Sequence, residues 1–281
     1  MDRPVRSAYR KVDSPLISAI RVFLVGDVVG RSGCRALFMS LQSLVKETRA
    51  DAVIANGENA ADGLGLTPDL AEGMFKSGVD VITSGNHIWQ KREILPLLDS
   101  EARLLRPENY PSGVPGHGSC VVNKKGVELA VLNLQGRQSM HSLRCPFVVG
   151  LEQARRLRNR TKVLVVDFHA EASEEKEALC LYLDGSVSAV IGTHTHVQTA
   201  DERILPQGTA CLTDVGMTGP ASGVIGMKAE ISINRALTQI PYKMEVADEE
   251  SVVSGVLVEV DASSGRSLSI TRLSHQVPSL G

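Results

Sequence analysis

Short apolar runs alternate along the chain with segments whose apolar residues recur every three or four positions, the pattern of strands alternating with helices in an α/β fold. The first run, Arg21-Val-Phe-Leu-Val25, stops at Gly26-Asp27, and Gly30 to Gly33 turn the chain into a predicted helix from about Cys34 to Thr48. Asp51-Ala-Val-Ile-Ala55 predicts the next strand, ending at Asn56-Gly57-Glu58-Asn59. Thr67 stands where an N-cap belongs, with Pro68 at the first helical position. Leu70, Met74 and Phe75 make the buried stripe of that helix and Gly78 its stop. Asp80-Val-Ile-Thr83 predicts a third strand, opening onto Ser84-Gly85-Asn86-His87.

The second half is richer in β pattern. Glu128 to Leu134 predicts a strand running into Gln135-Gly136-Arg137, and Lys162 to Phe168 another, ending at His169. A helix from about Ser173 to Leu183 follows, with Ser173 as its cap and Glu174, Glu175 and Glu177 in the first turns, where the helix dipole favours acids. Val187 to Ile191 predicts a strand ending at Gly192-Thr-His194-Thr-His196. Two hairpins close the chain, one turning at Pro206-Gln-Gly208 and one near Ser263-Ser-Gly265, between Val256–Val260 and Leu268–Leu273. No linker separates two cores, so residues 21–281 are expected to form one domain behind an extension over residues 1–20.

Composition narrows the function classes. Hydrophobic residues make up 43% of the 281 and charged residues 22%, enough apolar material for a sizeable core. A net charge of −2, from 30 basic and 32 acidic residues, argues against a broad surface for duplex nucleic acid, which needs concentrated positive charge. A small phosphate substrate remains compatible, because a metal supplies charge locally. No run reaches the ~18 apolar residues of a membrane span, and Pro15-Leu-Ile-Ser-Ala-Ile20 is cut by Arg21 before it makes a secretory core. Cys34, Cys120, Cys145, Cys180 and Cys211 are scattered, odd in number and never form CxxC. They read as small buried thiols in a reducing compartment, hence a cytoplasmic protein.

The chemistry gathers at strand ends. Asp27, Glu58, Asn59, Asn86, His87, His169, His194 and His196 all stand at or just past the C-terminal end of a predicted strand, the edge where α/β sheets bind ligands. Singly, the Asp27 and Glu58 loops are explained as well by helix-capping turns. Gly85-Asn-His87 says more, since it sets a neutral oxygen ligand beside a titratable imidazole. His194-Thr-His196 says most: residues two apart on an extended backbone point the same way, so both rings can reach one metal site. Oxygen and imidazole donors without thiolate suit iron, manganese or zinc. The donors outnumber what one tetrahedral ion needs, so two ions sharing Glu58 are expected, able to clamp a phosphate together. Arg137 is a candidate phosphate-binding residue, although an Arg after a strand is more often a surface ion-pair partner. Gly216-Met-Thr-Gly219 reads equally as a loop near the site or a simple turn.

The stretches FLVGDVVGRSG, VIANGENA, GLTP, VITSGNHIW, LLRPENYP, VLNLQGR, VDFHAEA, VIGTHTHVQTADERILP and TDVGMTGP resemble the YmdB-like family of calcineurin-type metallophosphoesterases, from about Arg21 to Leu273. The resemblance implies a four-layer αββα sandwich of two mixed β-sheets flanked by helices, with a dinuclear site, associated with iron, at the sheet edge. It implies hydrolysis of phosphodiesters, including 2′,3′-cyclic nucleotides. On this resemblance Asp27 and His196 hold the first ion with Asn59 alongside, Glu58 bridges, Asn86, His169 and His194 hold the second, and His87 is the free catalytic imidazole. The chain departs from the wider superfamily at Val29, where a GDxHG motif carries a ligand histidine, and at Glu58, which replaces a bridging aspartate. Asn59 is the expected substitute for the missing histidine.

The expected reaction is attack on phosphorus by a hydroxide held between the ions, with His87 protonating the departing alkoxide. The expected partner is a small phosphodiester, with RNA ends and a homo-oligomer as further candidates and no membrane. Two other classes share these features. One is a regulatory protein that binds nucleotides or RNA with incidental hydrolysis; the other is an amidohydrolase-type barrel, which also uses HxH but places it early in the chain.

Overall fold

In the computed structural model, which describes residues 19–248 and 250–278, the apolar runs assemble into two mixed β-sheets packed face to face, with helices covering both outer faces. The first half of the chain runs β1 (Ala19–Val25), β2 (Asp27–Val28), α1 (Gly30–Thr48), β3 (Ala52–Asn56), α2 (Pro68–Ser77), β4 (Val81–Thr83) and α3 (Leu95–Ser100). There follow β5 (Ser119–Lys124), β6 (Val127–Gln135), α4 (Pro146–Arg158), β7 (Val163–His169), α5 (Ser173–Tyr182) and β8 (Ala189–Thr193). The last segment holds β9 (Arg203–Ile204), β10 (Ala210–Leu212), β11 (Met217–Pro220), α6 (Ala229–Thr238), β12 (Ser251–Asp261) and β13 (Ser267–Val277).

In the first sheet β1, β3 and β4 are parallel, and β12 lies antiparallel to β1. Strands β11 and β13 also pair with β12, and β2 with β11. The second sheet has β6, β7, β8 and β10 parallel, edged by antiparallel β5 and β9.

Strand periodicity explains why the runs are apolar throughout. Successive side chains point to opposite faces, and here both faces are covered. Val22, Leu24, Ala52 and Ile54 face inward onto Leu129, Val131, Val163, Val165 and Ile191 of the other sheet. Phe23, Val25, Val53 and Ala55 face outward onto Leu37, Leu41 and Leu44 of α1 and Met74 of α2. On the far side Ala130, Leu132, Leu164 and Val166 meet Val149, Ala154 and Leu157 of α4 and Leu179 of α5. Three apolar layers thus separate four layers of backbone. Each fully buried Leu or Ile in them stabilises by roughly 1.5–3 kcal/mol.

Several expectations are met locally. Thr67 caps α2, its Oγ1 accepting from the Leu70 N–H at 3.4 Å, and Gly78 ends the helix at φ 115°. Both closing hairpins form. Others need correction. The helix expected from Cys34 begins at Gly30, because Gly33 marks a close approach and not a turn: a Cβ there would meet the Thr218 carbonyl oxygen of β11 at 2.3 Å. Gly216 to Gly219 is no simple turn, since Met217 and Thr218 pair with Asp27 and Val28. Ser173 is not the cap of α5 but its first helical residue. Ala19 and Ile20, assigned to the extension, belong to β1, and the rest of that segment, 1–18, lies outside the described residues. Two of the five expected thiols, Cys180 on α5 and Cys211 on β10, form a disulfide across a Cα–Cα distance of 6.0 Å, a facing that only the docking of α5 on the second sheet creates.

Candidate metal centre

Parallel strands carry their C-terminal ends to one edge, and the edges of the two sheets adjoin. Asp27 follows β1, Glu58 and Asn59 follow β3, and Asn86 and His87 follow β4; His169 ends β7, and His194 and His196 follow β8. The structure brings all eight together, from both sheets. Glu58 Oε1 lies 2.9 Å from His169 Nε2, and the same nitrogen lies 2.9 Å from His194 Nδ1 and 3.2 Å from Asn86 Oδ1. Beside this group, Asn59 Nδ2 is 3.4 Å from Asp27 Oδ1 and 3.2 Å from His196 Nε2. Glu58 Oε1 also stands 3.5 Å from Asn59 Nδ2, so its carboxylate lies between two adjoining donor groups.

The backbone is shaped for this convergence. Gly85 leaves room for the His169 ring, since a Cβ there would meet the imidazole at 2.1 Å. The HxH segment is not extended, as the spacing argument supposed: His194 has φ 104° and His196 φ 66°. Both are uncommon for residues with a Cβ and are imposed by surrounding contacts. The His194 N–H donates to Asp27 Oδ2 at 3.1 Å, and Thr195 donates from N–H and Oγ1 to Asp214 Oδ2. Asp214 in turn pairs with buried Lys176 at 2.6 Å. The two rings therefore enter different parts of the centre, His194 beside Glu58 and His169, His196 beside Asp27 and Asn59.

A second set of buried polar residues orients the donors. Asp167 accepts from Thr193 Oγ1 at 2.8 Å, from Asn56 Nδ2 at 3.3 Å and from Thr83 Oγ1. Thr193 spends its proton on Asp167, so at 2.9 Å it accepts from His169 Nδ1–H. That assigns the lone pair of His169 to Nε2, which faces Glu58. His87 is fixed similarly. Its backbone N–H donates to Glu58 Oε2 at 2.9 Å and its Nδ1 to Asn59 Oδ1 at 2.8 Å, leaving Nε2 as the nitrogen with a free lone pair.

Electrostatics identifies what the centre lacks. Asp27 and Glu58 are fully buried, and desolvation raises both carboxyls above their ordinary range. Burial also pushes His169 and His194 down to about 4 and lowers His87. Among the described residues the salt-bridge partners of Asp27 and Glu58 are imidazoles, which these shifts make neutral in the case of His169. Buried carboxylates without a fixed cation are costly unless a positive ion joins them. Carboxylate, carboxamide and neutral imidazole are the donors that suit a hard or borderline metal ion.

Arg137 lies elsewhere. Its exposed guanidinium contacts Cys145 Sγ at 3.3 Å and faces a depression of about 580 Å³ shared with Phe147 and Glu174, outside the donor cluster. Not apparent from strand ends alone are Asn56, Asp167 and Thr193 beneath the centre, and Ser139, Met140 and His141. The latter three line a cavity of about 360 Å³ with Asn86 and His194. Asp167 had a signal, a charge inside the apolar run Val165-Val-Asp-Phe168. His141, on an irregular loop, had none.

A family model described as YmdB-like protein matches residues 23–273. Over 254 residues the chain is 45% identical to the 2′,3′-cyclic-nucleotide 2′-phosphodiesterase of Bacillus subtilis (strain 168), covering 90% of this chain and 96% of that protein. The crystal structure of a phosphatase from Mycoplasma pneumoniae matches with a TM-score of 0.88 at 33% identity, covering 94% of this chain and 96% of that one. A hypothetical protein from Thermus thermophilus matches with a TM-score of 0.85 at 39% identity, covering 92% and 100%. By sequence over nearly its whole described length, and by fold, this chain belongs to the YmdB-like family.

Proposed function

We propose that this protein is a metal-dependent phosphoesterase that hydrolyses phosphodiesters, with 2′,3′-cyclic nucleotides as its substrates. The observation that carries the reading is the pair of fully buried carboxylates, Asp27 and Glu58, set among imidazoles and carboxamides where strand ends from two sheets converge. Glu58, Asn86, His169 and His194 would hold one ion and Asp27, Asn59 and His196 a second, with Glu58 shared. Iron is the metal proposed, with manganese and zinc served by the same donors. Asn59 would take the place of the ligand that Val29 lacks through its Oδ1, the oxygen that also accepts from His87, since an amide NH2 does not ligate. When bound, the ions supply positive charge that draws in the phosphodiester and makes a site water nucleophilic at neutral pH.

The residues of this chain then divide the remaining work. The two donor groups adjoin at Glu58, so ions held by them would orient the phosphate together. His87 has Nδ1 committed to Asn59, which leaves Nε2 to hold and deliver a proton. Burial lowers its proton affinity, and the negative charge of a bound phosphodiester acts in the opposite direction, favouring the protonated ring. In the reaction water gives its hydroxyl to phosphorus and its second proton to solvent, the P–O2′ bond breaks, the proton from His87 goes to the ribose 2′-oxygen, and His87 recovers a proton from solvent. The product is a 3′-nucleotide, in keeping with the name of the Bacillus subtilis relative, a 2′,3′-cyclic-nucleotide 2′-phosphodiesterase.

The test is elemental analysis of the purified protein together with turnover of 2′,3′-cyclic AMP, in wild type, Glu58→Gln and His87→Ala. About two metal ions per chain and turnover are expected for wild type. Glu58→Gln should lose both, and His87→Ala should keep the metal while kcat falls by roughly 10²–10⁴. Full activity and metal content in Glu58→Gln would sink the proposal. Saturable nucleotide binding without turnover would favour a regulatory binding protein instead.

A further inference from the structure

The loop from Gly136 to Arg144 is held at both ends and closed into a turn in the middle, where the Met140 N–H donates to the Arg137 carbonyl at 3.3 Å. At its start the Gly136 N–H donates to the His169 carbonyl at 2.9 Å, and the Arg137 and Gln138 N–H groups donate to the Glu175 carboxylate at 3.1 Å. Glu175 is 4% exposed, so it is a buried clamp reaching out of α5. At the other end buried Asn109 donates to the carbonyls of Gln135 and Arg144, and the Arg144 N–H returns to the Asn109 carbonyl at 3.2 Å. Between these clamps Ser139 sits at φ 57°, the third position of the turn that the Met140 N–H closes onto the Arg137 carbonyl. What the clamps present is Ser139, Met140 and His141, along one wall of the cavity of about 360 Å³ whose lining also includes Asn86 and His194.

That volume is within the range of small-molecule sites. Its two walls differ in chemistry. Asn86 and His194 belong to the donor groups that would take the phosphate. The loop wall offers a thioether, an imidazole ring and one hydroxyl, and the nearby Glu171 carboxylate is drawn onto His194 Nε2 at 3.0 Å. A polarisable sulfur beside an aromatic face suits a flat π-system, and stacking of this kind is tolerant of base identity because every base has a π-face. We propose that Met140 and His141 form the platform on which the base of a nucleotide substrate stacks while its phosphate lies at the donor groups. This rests on the phosphodiesterase reading above and extends it to the substrate class: the loop selects nucleosidic over baseless phosphodiesters. With only Ser139 to read a base edge, it discriminates weakly between adenine and guanine and favours purines over pyrimidines through the larger stacked area. His141 is thus a binding residue and takes no part in proton transfer.

The test compares 2′,3′-cyclic AMP with glycerol 1,2-cyclic phosphate, which has the same five-membered ring and no base. The metal-loaded full chain is assayed as wild type, as the exposed-loop double variant Met140→Ala/His141→Ala, and as His141→Phe. Expected for the double variant is a KM for 2′,3′-cyclic AMP raised about tenfold or more, with kcat within twofold of wild type, and a KM for the baseless substrate unchanged within twofold. His141→Phe, which keeps a ring and loses the nitrogens, should remain near wild type. An unchanged KM for 2′,3′-cyclic AMP overturns the platform, and so does an equal rise for both substrates, which would assign the loop to the phosphate. Hydrolysis of the baseless substrate by wild type keeps these outcomes separate from the underlying reading, which in this assay fails if wild type turns over neither substrate.

Discussion

At the level of single residues, the centre depends on side chains that hold other side chains in place. His169 is the clearest case, with Nδ1 tied through Thr193 to Asp167 and Nε2 turned to Glu58 and His194. Its ring occupies the space that a side chain on Gly85 would fill. Gly85→Ala is therefore expected to displace the imidazole, costing most of the metal content and at least roughly 10² in kcat, since a small misplacement of a reacting constellation costs that much. Circular dichroism should stay native, because Gly85 lies in a loop end and its φ is not left-handed. Wild-type metal content in this variant would show that the ring has other room. That eight polar residues stand at strand ends was legible in the sequence, because each follows an apolar run and needs no knowledge of packing. The reason given for His194 and His196 was not right. Their rings separate through left-handed backbone conformations, which Asp27 and Asp214 help to fix and which no local pattern announces.

At the level of elements, the strands β1, β3, β4, β6, β7 and β8 were readable because both faces of each are buried, which leaves uninterrupted apolar runs. Helix α4 was not, since its buried stripe is only Pro146, Val149, Gly150, Ala154 and Leu157 beside a run of arginines in its last turns. Helix α6 has no buried residue at all, so packing imposed no pattern on it. In α5 the acids of the first turns looked like dipole partners. Glu175 instead points inward and clamps the loop after β6. Glu175→Ala should free that loop without unfolding the sheets. The expected readout is limited trypsin digestion under native conditions, with cleavage after Arg137 or Arg144 several-fold faster than in wild type and other sites unchanged. Equal cleavage rates would mean that Asn109 alone holds the loop.

For the whole molecule, the centre joins the two sheets. Asp27, Glu58, Asn59 and Asn86 come from the first, and His169, His194 and His196 from the second. Ions bound there would bridge the halves of the sandwich and offset the cost of burying Asp27 and Glu58. Removing them with a chelator should lower the thermal midpoint: a ligand at 100 times its dissociation constant stabilises by about 2.7 kcal/mol, which in a domain of this size is a fall of about 5–10 °C. Scanning calorimetry before and after chelation, and after adding manganese back, checks this. A midpoint indifferent to metal would mean that the sheets gain nothing from the ions. The sequence by itself determined the strand-rich α/β character and which polar residues stand at strand ends, because both follow from local periodicity and side-chain chemistry. Only the tertiary structure decided that donors from two different sheets meet, that Asp167 and Thr193 orient His169 and that Glu175 aims a loop across the cavity. Those are contacts between residues far apart in the chain, and burial of both sheet faces, not any local preference, brings them together.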